Sequence, residues 1–251
     1  FKMSNGWNGY AKEFNELATF DKQSIHTGLG LRGIEPKEVV CHAESILDVG
    51  CGEGTNTYLM YSVGKVKTVG IDIASSAIDK ANKQYAEDVC TFLNCDISGF
   101  LKKYDGNPFG LVTFWGSLDY LKLDEEFFNE LNYITKVGSR CFDSKFHPMW
   151  TALYGNDVED QCMRSYFDDG RVDLVPYGVK NKVFLERIHY SISYIYSAFK
   201  KGGWDVKKME EPKPNLENSS FKYLNYDSDD ILMDRMGNVP MTIIFEFERR
   251  R

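Results

Sequence analysis

A chain of 251 residues, 43% apolar and 14% aromatic, has enough apolar side chain for a sizeable core and is sized for one α/β domain with an elaboration, which excludes global disorder. Its formal net charge of −7 argues against a dedicated nucleic-acid binder, which would present a basic face. No apolar run approaches the roughly 20 residues of a membrane span and no signal peptide is evident, so a cytoplasmic protein without a membrane partner is expected.

Residues 1–44 read as a polar, aromatic-dotted lead-in or lid, helical in part, ahead of a domain covering 45–251. "SILDVG" reads as a strand, and Thr55 to Val63 as a helix with Leu59 and Val63 inward, ended by Gly64. "KTVGID" is the next strand, and Ser75 or Ser76 caps a helix that aligns Ile78, Ala81 and Tyr85. "CTFLNC" is a third strand, followed by a short helix near "ISGFLKKY". "GLVTFW" is a fourth, then a helix over "DEEFFNELNYITK" with Phe127, Leu131 and Ile134 on one face, and "SRCFDSKF" is a fifth strand. Such alternation predicts right-handed crossovers and a mostly parallel sheet with helices on both faces.

The rhythm breaks after Phe146. Residues 147 to about 188 hold two β-like stretches, "RVDLV" and "KVFLERI", and read as an inserted hairpin or cap. Ser191 then opens a helix with Ile192, Ile195 and Phe199 inward, closed by Lys200, Lys201 and the pair Gly202-Gly203. "WDVKKM" and "MTIIFEFER" supply the last strands. Six cysteines, at 41, 51, 90, 95, 141 and 162, show no CxxC and read as reduced thiols.

The chemistry begins at "ILDVGCGEGTNTYL". Gly50, Gly52 and Gly54 follow a strand directly and precede a helix, where glycines permit a tight turn and let a ligand approach bare backbone. The spacing is not that of a dinucleotide fingerprint, since Thr55 stands where the third glycine would fall. No Gly-Lys-Ser/Thr follows to make a phosphate loop. Asp72 closes the second strand, where a carboxylate can accept both hydroxyl protons of a ribose. Asp96 closes the third and can accept from an adenine amine, with Ile73 and Ile97 sandwiching the ring. A strand-end aspartate can equally cap a helix. Asp48, Asp72, Asp96 and the glycines together suit an adenosine without phosphates.

This set resembles the class I S-adenosylmethionine-dependent methyltransferases, whose first motif is a strand ending Asp-x-Gly-x-Gly-x-Gly. The likeness runs from about residue 45 to the C-terminus. It implies a Rossmann-like, seven-stranded sheet in the order 3-2-1-4-5-7-6, with "MTIIFEFER" as the antiparallel strand. It also implies S-adenosyl-L-methionine as cofactor and S-adenosyl-L-homocysteine as product. The roles it implies are Gly50, Cys51 and Gly52 on the methionine and ribose part, Asp72 on the ribose hydroxyls and Asp96 on the adenine amine. The phrases "HPMW", "RSYFDDG" and "RIHYSISYIYSAFKKGGWDVKKMEEPKP" are similar to a bacterial branch of small-molecule methyltransferases, although His189-Tyr190 stands where relatives often have His-Arg.

An acceptor pocket is then expected over the fourth and fifth strands, under the cap. Trp115, Ser117, Asp119 and Tyr120 of "FWGSLDYL" are candidate lining groups, with His147, His189, and Trp7 and Tyr10 of the lead-in. Trp115 and Tyr10 are assigned to the cofactor, because aromatic faces stabilise a sulfonium and keep the cleft dry. Trp7, Ser117, Tyr120 and His147 are assigned to the acceptor. His189 or Asp119 is the candidate base, needed only if the acceptor arrives protonated. No residue spacing suggests a metal site. The reading is methyl transfer to nitrogen or oxygen of a small molecule by a monomer or homodimer. The alternative is a non-catalytic adenosylmethionine-binding sensor or partner subunit. A nicotinamide-dependent dehydrogenase is disfavoured by Thr55.

Overall fold

The computed structural model describes residues 6–9, 23–27, 33–154, 164–177, 183–214 and 237–251. Tyr10, Cys162 and part of the expected cap lie outside the described residues. Among the described residues no helix is long and apolar enough to cross a membrane.

After a short helix, α1 (Pro36–Val40), strand β1 (Ser45–Val49) enters the middle of a seven-stranded sheet. It is flanked by β2 (Lys67–Asp72) and β4 (Phe109–Trp115). Strand β2 pairs outward with β3 (Cys90–Asn94), and β4 with β5 (Thr135–Phe146), all parallel. The crossovers are α2 (Thr55–Gly64), α3 (Ser75–Tyr85), α4 (Ile97–Leu101) and α5 (Glu125–Tyr133). Helix α6 (Pro148–Tyr154) follows β5, and β6 (Val172–Tyr177) and β7 (Val183–Ile188) pair as an antiparallel ribbon outside the sheet. Helix α7 (Ile192–Lys201) returns the chain to β8 (Trp204–Glu210) and β9 (Thr242–Arg249). Strand β9 is antiparallel to both β5 and β8, so the sheet's own strands run 3-2-1-4-5-7-6.

Central strands are covered on both faces, which is why Ile46 to Val49 are all buried rather than alternating. One face buries Val112, Phe114, Phe127, Leu131, Ile195 and Phe199, and the rings of Phe199 and Phe247 stack at 3.7 Å. The other buries Ile25, Val39, Ile46, Met60, Leu111 and Phe142. Ile25 belongs to the lead-in and is fully buried, so residues 23–27 are part of the core as well as a cover. The Asn56 side chain exchanges two 2.8 Å hydrogen bonds with the His26 backbone, and Ser144 Oγ donates to the Thr27 carbonyl.

Two local expectations are corrected. Helix α2 turns Thr57, Met60 and Tyr61 inward and leaves Val63 exposed, because the Thr57 hydroxyl is needed by a buried carboxylate. Neither Ser75 nor Ser76 caps α3. The cap comes from the lead-in, where Asn8 Oδ1 accepts from Ser76 N at 3.0 Å and Ser76 Oγ at 2.9 Å.

Candidate active site

The loop after β1 turns back over the end of β2, with Gly50 N and Cys51 N both donating to the Ile71 carbonyl at 2.8 and 3.0 Å. All three motif glycines have positive φ, +76° at Gly50, +55° at Gly52 and +81° at Gly54. A Cβ on Gly50 would stand 2.4 Å from Ser117 Cβ, whereas one on Gly52 would meet no atom of the described residues within 4 Å. Gly50→Ala therefore carries both backbone strain and a clash, and is expected to cost about 3 kcal/mol, read as a lower denaturant midpoint. The Cys51 sulfur packs on Gly70 of β2, where an added Cβ would lie 2.9 Å away. Burial pushes its thiol well above the ordinary range, so it is an apolar filler rather than a nucleophile.

The three strand-end aspartates differ in what they do. Asp48 is fully buried and accepts from Thr57 Oγ1 at 2.6 Å and Thr113 Oγ1 at 2.8 Å. Burial raises its pKa to about 6, opposed by those two hydroxyls. The expectation of a direct cofactor contact is revised: Asp48 clamps β1, α2 and β4 together beneath the loop. Asp72 is half-buried, accepting from Gly52 N at 2.9 Å through Oδ2 and from Ala74 N at 2.8 Å through Oδ1. Each of its oxygens retains a second lone pair. Desolvation raises its pKa, and backbone N–H bonds pull the other way. Asp96 is exposed and caps α4, accepting from Gly99 N at 2.6 Å through Oδ1. Of its two isoleucine neighbours, Ile73 is half-buried, but Ile97 is turned into the core and is corrected as a ring contact.

Beyond β4 the chain makes a second tight turn. Gly116 has φ +79°, donates to the Ser144 carbonyl at 2.7 Å, and would also place a Cβ within 4 Å of no atom of the described residues. Ser117 Oγ donates to the Val49 carbonyl, tying the turn to the glycine loop. A 3₁₀ turn, Leu118–Tyr120, follows. Its Asp119 is buried, 2.5 Å from Lys145 Nζ of β5. The Tyr120 ring meets Trp7 edge-on at 4.8 Å. Trp115 is half-buried and tilted against Phe142 at 6.1 Å, with an indole N–H that has no acceptor among the described residues. Asn8 reaches the start of α3 on the β2 side and Trp7 reaches Tyr120 on the β4 side. Since β1 lies between those strands, residues 6–9 cross above its tip.

The two candidate histidines, His147 and His189, are spoken for. His189 is buried, its Nε2 donating to the Tyr166 carbonyl at 2.9 Å and its Nδ1 lying 3.1 Å from Thr151 Oγ1. Burial lowers its pKa. Both ring nitrogens are engaged, so His189 is corrected from candidate base to a clamp between α6 and the segment before β6. His147 Nδ1 accepts from Met149 N at 3.1 Å, which leaves Nε2 to donate to Glu211 at 2.7 Å. It fastens the start of α6 to the segment after β8 and is corrected as an acceptor contact.

Bare backbone at Gly52 and Gly116, free lone pairs on Asp72 and an exposed acid at Asp96 fit a nucleoside. No Lys or Arg stands between Gly50 and Thr55 to neutralise a pyrophosphate. Sequence reasoning missed Gly70, Thr57, Thr113, Gly116 and Asn8. A glycine inside "KTVGID" and another after "TFW" were the only signals available.

Residues 42–175 match the profile of a family described as methyltransferase domain. No curated protein matches the sequence significantly. Among solved structures, a proposed S-adenosylmethionine-dependent methyltransferase from Listeria monocytogenes is 17% identical with a TM-score of 0.63, over 96% of this chain and 99% of that one. The 1,6-didemethyltoxoflavin-N1-methyltransferase of Burkholderia thailandensis, solved with 1,6-didemethyltoxoflavin and S-adenosylhomocysteine, is 14% identical with a TM-score of 0.52, over 86% and 76%. An O-methyltransferase from a Brevibacillus brevis polyketide multienzyme, solved with S-adenosyl-L-homocysteine, is 12% identical with a TM-score of 0.54, over 83% and 67%. The family match, the strand order and the glycine turns with strand-end aspartates at the tips of β1, β2 and β4 agree, and the chain belongs to the class I S-adenosylmethionine-dependent methyltransferases.

Proposed function

We propose that the enzyme methylates a nitrogen or oxygen of a small-molecule acceptor held over the ends of β4 and β5. The observation that carries this reading is the cover formed by residues 6–9, which meets α3 on one side of the β1 tip and Tyr120 on the other. A cover seated on both flanks suits an enclosed acceptor better than a long polymer. The 1,6-didemethyltoxoflavin-N1-methyltransferase, which shares this fold and was solved with 1,6-didemethyltoxoflavin, supports a small-molecule acceptor.

S-adenosylmethionine supplies the methyl group on a positively charged sulfur, already a good leaving group. The protein's contribution is to orient and to exclude water, which can account for several kcal/mol of the barrier. Asp72 takes the ribose hydroxyls and Asp96 the adenine amine, while Gly50, Cys51 and Gly52 pack against the methionine and ribose. Asp48 fixes the loop from below. Trp115 presents a half-buried ring beside the transfer site, and Trp7 with Tyr120 closes it. With His189 sealed and Asp119 paired to Lys145, the acceptor loses its proton to water or arrives neutral. A cytoplasmic monomer or homodimer without nucleic acid completes the reading.

The test is to incubate the protein with deuteromethyl-labelled cofactor and small-molecule and macromolecular fractions of a cell extract. Mass-shifted products are expected in the small-molecule fraction. Label found only in protein or RNA would overturn the acceptor class, and cofactor bound without any transfer would favour a sensor.

A further inference from the structure

Three ionisable side chains are packed together beneath the turn after β4. Asp119 and Lys145 form an ion pair at 2.5 Å with 6% and 2% of their side chains exposed, and Asp143 is fully buried. Asp143 and Lys145 are two residues apart on β5 and so share a face of the sheet. Neither Asp143 oxygen has a hydrogen-bond partner among the described residues. The Lys145 contact to Asp119 is an ion pair rather than an aligned hydrogen bond. The ammonium is thus paired with Asp119, and a second carboxyl, Asp143, lies buried on the same sheet face, where Lys145 acts on it through space.

We propose that Lys145 is a positioning residue that, through its ion pair with Asp119 and beside the buried Asp143, holds the turn Ser117–Tyr120 against the glycine loop and so shapes the cofactor site. The proposal rests on that site taking S-adenosylmethionine. Of the contacts holding the turn, Ser117 to Val49, Asp119 to Lys145, and Tyr120 to Trp7, only the second is a charge pair sealed from solvent. A sealed ion pair gains little net stability over apolar side chains of the same volume, but removing one partner leaves a buried charge, so the pair strongly favours one arrangement of the turn.

Strand β7 packs against the turn and carries the buried Arg187, whose guanidinium lies 5.5 Å from the Phe146 ring and whose register partner is Asp173. Tyr190 lies under Lys145, its ring centroid 5.7 Å from Nζ, with its hydroxyl accepting from Leu123 N and its ring stacked on Tyr194 of α7. Burial pushes the Cys141 thiol on the same face of β5 well up, and likewise raises the Tyr190 phenol. Asp124, capping α5, acts on Tyr190. The register partners of Asp143 and Lys145 are Phe114 on β4 and Phe245 and Ile243 on β9, which carry no charge. Lys145 pairs with Asp119 and also acts through space on Asp143. Burial pushes Asp143 up to about 8, so at neutral pH it is protonated and Lys145 belongs to Asp119. At alkaline pH the Asp143 anion draws Lys145 away.

The experiment is calorimetric titration with S-adenosylhomocysteine from about pH 7 to about pH 9.5. Wild-type affinity is expected to fall by about tenfold across that range, with the fall lost in Asp143→Asn. At neutral pH, Lys145→Met and Asp119→Asn are each expected to bind about tenfold more weakly, and Lys145→Arg to recover most of the loss. Should Lys145→Met not fold, the pH profiles of wild type and Asp143→Asn decide alone. Identical profiles for those two, or full affinity in a folded Lys145→Met, overturn the proposal. Failure of the wild type to bind at any pH instead overturns the cofactor assignment, and the proposal with it.

Discussion

Replacing Asp72 with alanine is expected to weaken S-adenosylhomocysteine binding by about a thousandfold while leaving the sheet intact. Hydrogen bonds to an ionised carboxylate are worth about 1.5–3 kcal/mol each, so losing two ribose contacts removes about 4 kcal/mol, or three decades of affinity. The same carboxylate also holds Gly52 N and Ala74 N, so alanine loosens the loop as well. Asp72→Asn separates the two contributions. Its carbonyl oxygen keeps one backbone N–H, and its amide cannot accept from a second ribose hydroxyl, so its affinity falls between wild type and alanine. Affinity should also drop on acidification. Burial places the Asp72 pKa above the ordinary carboxylate range, and the protonated form donates where it must accept. Calorimetry reads both effects, and unchanged affinity in Asp72→Ala would move the ribose off this carboxylate.

The sheet was legible because strands buried on both faces write themselves as apolar runs, and glycines and aspartates marked where those runs stop. The separation of "RVDLV" and "KVFLERI" from that pattern was legible too, and they pair as β6 and β7. What sequence could not convey was which titratable groups already have partners. Asp48 looked like a ligand, yet Thr113 answers it from 65 residues away. His189 looked like a base, but it is occupied by Tyr166 and Thr151. Asn8 caps a helix 68 residues further on, which no local pattern announces. In each case a short polar side chain is satisfied by a contact that exists only after the sheet has assembled. Lys145 was hidden for a related reason: in "SRCFDSKF" it looks like the polar member of an alternating strand, and only burial shows it is an internal charge.

Asp143→Asn is expected to stabilise the protein at neutral pH by about 4 kcal/mol and to make almost no difference near pH 4. The carboxyl's folded pKa of about 8 lies above its unfolded value of 3.8. A raised folded pKa means that the folded state binds the proton more tightly. Its contribution is therefore fully present below about pH 4 and is lost progressively as pH climbs to about 8. An asparagine fills the same volume without a proton to lose, so the wild type and the variant diverge across that window and run parallel above it. Denaturant unfolding at several pH values measures this directly, and coincident curves at all of them would mean that the Asp143 charge is satisfied in the fold. Lys145→Met should move the other way, since it leaves Asp119 buried without its counter-ion. A carboxyl so costly at working pH, set under the turn that shapes the cofactor site, is what a protein retains when the geometry of that turn matters more than the stability forgone.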